Sequence, residues 1–220
     1  MDLNQALRHF LYDRIENLSQ TYDWSFSMSG FPDSNYYASG ESNYHKSRNL
    51  RNFIFERISE GSALSKGLQI WYVKNWGGVK RNSPETLEGY IKSSPEELFC
   101  LGTKGVATWS KILSVRNPSK FAIYDARVAL SINSLQKKYK VDDPVLFPQL
   151  SSQNRTFVQP TQRRILSSRY FSNSIQENFY SEYISLLTRT VSTMKGFDIQ
   201  DAEMVLFSCA EELSRIWHEQ

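Results

Sequence analysis

Apolar residues near the start of the chain recur in steps of three and four: Leu3, Ala6, Leu7, Phe10, Leu11, Ile15 and Leu18. That spacing lines one face of a helix, so it predicts a helix over about 2–20 with a buried stripe. From Asp23 to Lys46 the pattern dissolves into Ser, Gly, Asn and Tyr, with Phe31-Pro32-Asp33-Ser34-Asn35 reading as a turn. A polar loop of this length is either functional or disordered. The helical period resumes with Leu50, Phe53, Ile54, Arg57 and Ile58 and continues after a Gly-Ser break with Leu64, Leu68, Trp71 and Tyr72. Trp76-Gly77-Gly78 should end it. Ser83-Pro84-Glu85 and Ser94-Pro95-Glu96-Glu97 each combine a capping hydroxyl, a proline at the first helical position and first-turn acid. Two short helices are therefore expected before a glycine-bracketed turn at Gly102–Gly105.

After Asp125 the apolar positions Val128, Leu130, Ile132 and Leu135 predict a helix to about Tyr139. Residues 142–174, with prolines at 144, 148 and 160, read as loop-rich. Two helices should close the chain, one carrying Phe179, Tyr183, Leu186, Leu187 and Val191, the other Met204, Val205, Leu206, Leu213 and Ile216. Nothing alternates convincingly as a strand and nothing repeats. The expected class is all-α: one domain over 1–220, two helical lobes around a central cleft.

Lys plus Arg exceed Asp plus Glu by 26 − 23 = 3, which permits a polyanionic partner without requiring one. Aromatics make up 14% of the chain, enough that some rings should line a pocket even if most are core. Cys100 and Cys209 have no Cys or His at metal-ligand spacing, so neither a disulfide framework, a metal site nor a cofactor is expected. The first twenty residues carry charges throughout, and no long uncharged apolar run occurs. A soluble cytoplasmic protein without membrane contact is expected.

The candidate chemistry lies between Leu101 and Val128. A turn bracketed by Gly102 and Gly105 and followed at once by a helix leaves backbone amides unpaired, which suits a phosphate. An ordinary helix-helix turn looks the same from sequence. Asp125 is placed as a helix N-cap, and capping also favours the ionised carboxylate that cleavage of a sugar-base bond requires. Lys104 stands at the first turn; partly desolvated it would be a nucleophile, otherwise a phosphate contact or a solvated side chain. Lys111, two helical turns later on about the same face, is the reserve candidate.

Leu101-Gly102-Thr103-Lys104 with Asp125 resembles the helix-hairpin-helix, Gly/Pro-rich, aspartate-containing superfamily of DNA glycosylases, in its 8-oxoguanine glycosylase-like branch. Ala202-Glu203-Met204-Val205-Leu206-Phe207-Ser208 resembles the C-terminal helix of that branch, whose Phe stacks on the extruded base. The likeness is specific over about 101–135 and 201–213, with the hairpin and catalytic segment at about 95–137. The hairpin lacks Pro-Gly-Val-Gly, Lys104 precedes the acid by 125 − 104 = 21 residues, and Arg127 stands where histidine is common. The chain has no room for the extra β-domain of larger relatives.

The resemblance implies an N-glycosylase acting as a monomer on double-stranded DNA, without cofactor. A base flipped out of the duplex would be cleaved off, leaving an abasic site. Asp125 would stabilise the sugar cation, with Lys104 as the amine if the enzyme is also an AP lyase. Gly102, Gly105, Lys111 and Arg127 would hold phosphates. Phe207 and Trp109 would sandwich the base, or simply pack helices. Glu203 would accept from the exocyclic amine of a cytosine-type base, or else face solvent. Stand-alone bacterial members of the branch excise hypermodified, glucosylated hydroxymethylcytosine from phage DNA, and this chain looks like them in size and in Glu203. The loop at 151–164, with Gln153, Asn154 and Arg155, would then contact the appended sugar. The alternatives are an 8-oxoguanine repair glycosylase and a non-catalytic hairpin DNA-binding module. The residue filling the gap in the duplex is sought in the 25–45 loop or the Asn75-Trp76 turn.

Overall fold

The computed structural model describes residues 1–175 and 177–218. Helix accounts for 58% and strand for 2%, so the class is all-α. The expected first helix is broken. α1 (Leu3–Tyr12) stops at Asp13 and Arg14, and the period continues through a 3-10 turn (Ile15–Asn17) into the short α2 (Leu18–Thr21). Asp and Asn are weak helix formers, but the apolar face stays buried across the break. The irregular segment that follows is shorter than anticipated, because Ser42 accepts the His45 amide and starts α3 (Asn43–Ser59).

α4 (Ser65–Trp71) runs into a single π turn (Tyr72–Trp76) that ends at Gly77. α5 (Pro84–Lys92) and α6 (Pro95–Phe99) begin at Ser83 and Ser94 as their caps dictate. α7 (Val106–Arg116) and α8 (Ala126–Lys138) follow the hairpin and Asp125. The stretch expected to be loop contains α9 (Val158–Ser167) and a two-residue parallel pair, Val145–Leu146 with Asn173–Ser174. Pro160 falls in the first turn of α9, where its missing N–H breaks no helical bond. α10 (Phe179–Val191), α11 (Ile199–Ser208) and α12 (Ala210–Ser214) close the fold, with Cys209 dividing what the period suggested was one helix.

Among the described residues, the two largest of four apolar clusters organise most of these helices. The larger gathers α1, α2, α7, α8, α10 and α11 around Phe10, Trp109, Tyr124, Tyr183 and Met204. The other joins α3, α4 and the π turn around Leu50, Ile54, Trp71 and Trp76. Trp24, from the irregular segment after α2, packs against both.

Candidate functional site

Asp125 is positioned by a buried, non-helical strand of chain, Ala122-Ile123-Tyr124. Buried backbone outside regular structure must find partners. Here the Tyr180 and Tyr183 hydroxyls of α10 donate to the carbonyls of Ala122 and Ile123 (2.7 and 2.8 Å), and the Tyr124 amide donates to Ser110 Oγ of α7 (3.1 Å). The chain thus delivers Asp125 to the N-terminus of α8, where its Oδ1 accepts the amides of Arg127 and Val128 (2.9 and 3.0 Å). Among the described residues nothing donates to Oδ2. Asp125 lines a small cavity together with Tyr22, Trp24, Trp76, Gly77, Lys111, Ile123, Glu203 and Phe207. These residues come from both apolar clusters, so the cavity lies on the seam between them.

Lys111 is buried, not a surface phosphate contact as expected. Its Nζ donates to the Ala107 carbonyl at 2.8 Å, and burial lowers the affinity of the amine for its proton, against the pull of Asp125 and Glu203. Its stem passes over Gly77, where a Cβ would lie 2.6 Å from both Lys111 Cδ and Cε and 2.9 Å from the Val73 carbonyl. Only glycine leaves that path open.

Glu203 does not face solvent. Its carboxylate pairs with the guanidinium of the fully buried Arg51 (2.6 Å, Nη1 to Oε2), whose Nε donates to the Tyr72 hydroxyl (2.7 Å). Burial pushes the Glu203 carboxyl above its usual range, while Arg51 draws it back down. Arg51 also lies 5.2 Å from the centre of the Trp76 ring. At the rim, the Arg127 guanidinium stands 4.6 Å over the Phe207 ring and 5.5 Å over Phe157. Arg127 is therefore engaged with rings at the mouth, beside the place assigned to a phosphate.

Three further expectations are corrected. Lys104 is exposed on the hairpin and does not line the cavity. Trp109 is fully buried, packs on Tyr180 and donates from its indole to the Lys104 carbonyl, which fastens the hairpin to the core and removes the ring from base contact. Asn154 accepts the amides of Thr156 and Phe157 and so caps the turn into α9, with Gln153 and Arg155 exposed on either side. The hairpin itself has the expected form. Gly102 and Gly105 take positive φ (+55° and +71°), and among the described residues the Thr103 and Gly105 amides donate to no acceptor.

The central cleft is closed. The cavity beside Asp125 measures about 30 Å³, room for about one or two waters and an order of magnitude below the ~300 Å³ at which ligand pockets begin. Trp24 is one of its walls. A much larger surface concavity, about 590 Å³, lies elsewhere, between α1, the end of α8 and α10, where acids and arginines such as Asp2, Arg8, Glu182 and Arg189 mix at an open surface. Among the described residues no group of His, Cys, Asp and Glu could hold a metal, and no helix is long and apolar enough to cross a membrane.

Sequence reasoning missed Tyr22, Trp24, Gly77 and Arg51, and weighed Trp76 for function only as a candidate to fill the gap in the duplex. The Trp76-Gly77 pair was visible as a helix stop, and its second meaning required the neighbour on α7. No matching family model, curated protein or solved structure was found for the chain.

Proposed function

We propose that the protein is a DNA N-glycosylase, acting as a cytoplasmic monomer without cofactor, in which Asp125 is the catalytic carboxylate and Lys111, in place of Lys104, the buried amine. The reading rests on one observation: a carboxylate pinned by two amides shares a ring-walled cavity with a desolvated lysine. With the nucleotide flipped, the C1′–N bond breaks and its electron pair leaves with the base, which takes up a proton. Asp125 Oδ2 faces the developing oxocarbenium charge. Water, or the neutral Lys111 amine, then adds at C1′ and gives up a proton, which balances the one taken up by the departing base. The free amides of Thr103 and Gly105 suit a phosphate beside the flipped nucleotide.

Glu203 at the cavity wall favours a base that presents an amine, so the substrate we propose is a modified cytosine of phage DNA, such as the glucosylated hydroxymethyl form. The closed cavity favours a second reading, a hairpin module that binds DNA without cleaving it.

One assay separates them. Duplexes containing glucosylated hydroxymethylcytosine or 8-oxoguanine are incubated with the protein and tested for alkali-labile sites. Release from the first is expected, with Asp125→Asn lowering turnover by about 10³-fold or more, some 4 kcal/mol of barrier, while duplex affinity changes little. Asn also caps helices well, so the fold should survive. Release from neither duplex, with binding intact, would establish the module. Borohydride trapping that disappears in Lys111→Gln but not Lys104→Gln would assign the amine.

A further inference from the structure

Trp24, a half-buried wall of the cavity beside Asp125, is held by contacts of its side chain alone. Trp24 stands edge-on to Phe207 (5.5 Å between ring centres, 86°) and to Trp76 (6.1 Å, 63°), and its indole N–H donates to the Trp76 carbonyl at 3.1 Å. Among the described residues neither its backbone amide nor its carbonyl makes a hydrogen bond. The flanking residues are tied down: the Tyr22 amide donates to the Leu18 carbonyl, Asn43 donates to the Asp23 carbonyl, and Phe26 packs against Trp71. Outward rotation of the Trp24 side chain would break one hydrogen bond and its contacts with the two clusters, and no hydrogen bond of a helix.

We infer that the indole of Trp24 occupies the seat of the ligand, and that a planar heteroaromatic ring bearing an edge N–H donor takes its place against Phe207 when the protein is loaded. Two features set that chemical class. Removal of the indole vacates a space of one flat aromatic ring, bounded by Phe207, Trp76 and Tyr22 and adjoining Asp125, Lys111 and Glu203. It also strips the Trp76 carbonyl of its donor, and an unpaired acceptor in a cavity must be matched by an incoming one. An exocyclic amine such as that of cytosine meets both demands, whereas a ring with only acceptors on that edge leaves the Trp76 carbonyl without a donor. The inference rests on the proposed glycosylase site for the nature of the natural ligand, but the seat itself is a property of the ring geometry.

The test replaces Trp24 by Ala and measures binding of indole, and of free 5-hydroxymethylcytosine base, by calorimetry. The wild-type protein, its seat filled, should bind both at least tenfold more weakly than the variant. Hydroxymethylcytosine should displace indole, and benzene, which lacks the donor, should bind the variant more weakly than indole. Trp24→Leu, which keeps apolar cover on Phe207 while shortening the ring, should show the same order with a smaller gain and serves if the alanine variant does not fold. Equal affinity of wild type and both variants for indole, or benzene binding as tightly as indole, would overturn the inference. If the seat binds rings but no duplex loses a base, the seat stands and the glycosylase reading falls; base release with an unresponsive seat gives the reverse.

Discussion

Helix α3 meets α11 through two arginines, Arg48 and Arg51, set about one turn apart on one face, and the two contacts differ in everything but their chemistry. Arg48 pairs with Asp198 and Asp201 near the surface. Those carboxylates already have work: Asp198 caps α11, and Asp201 completes the capping box and accepts from the Tyr44 hydroxyl at 2.7 Å. Each charge there has several partners, and Arg48 and Asp198 are partly exposed while Asp201 is buried. Arg51, at zero exposure, pairs with the buried Glu203, and beyond Glu203 lie a second carboxylate, a buried lysine and a water-sized cavity. The outer contact is explained by helix capping and docking. The inner one places more charge in the interior than packing requires, and such a cluster beside a cavity is what singles it out as the candidate site.

Breaking each pair should separate the two most sharply. Arg51→Met leaves Glu203 buried and unpaired, with an expected loss of about 3–5 kcal/mol in denaturant unfolding, and pairing it with Glu203→Met should recover most of that. Arg48→Met should cost only about 1 kcal/mol, because Asp201 keeps Tyr44 and the Asp198 amide. Equal losses would erase the distinction. Next in size is the support beneath Asp125. Tyr183→Phe strips the buried Ile123 carbonyl of its donor, at an expected cost of about 1–3 kcal/mol, and should lower base release further by loosening the acid.

The smallest effect on stability, and the most telling, concerns Lys111. Burial holds its folded pKa below the ordinary 10.5, so folding favours the neutral amine. Between that folded value and 10.5 the unfolded chain binds more protons, and native stability therefore rises with pH across this window. Below it the loss is constant. Lys111→Met should flatten that rise and leave the protein at least as stable at neutral pH, while abolishing any lysine-dependent strand nicking. A variant markedly less stable at pH 7 would mean that the amine is structural.

How much of this was legible beforehand follows from range. Helix caps at Ser83, Ser94 and Asp125 are contacts between residues two or three apart, and the sequence displays both partners. The apolar periods located the helices for the same reason, although Asp13, Arg14 and Cys209 interrupt them where local propensity is weak. The sequence ranks Lys104 ahead of Lys111, and the structure reverses that order, because exposure decides between them. Lys104 lies on the outer side of the hairpin that Trp109 fastens down, and Lys111 lies over Gly77, a residue 34 positions earlier. Glu203 was recognised as a candidate, yet its committed partner Arg51 is 152 residues away.

Sequence alone determined the all-α class, the hairpin with its left-handed glycines, and a capped, ionisable Asp125 beside it, since each depends on neighbours along the chain and on backbone sterics. Only the tertiary structure decided which lysine shares the acid's cavity, that Trp109 is core, that Glu203 is ion-paired, and that Trp24 is a wall of that cavity. Those outcomes depend on which surfaces of separate helices meet and exclude water, and no local pattern encodes that meeting.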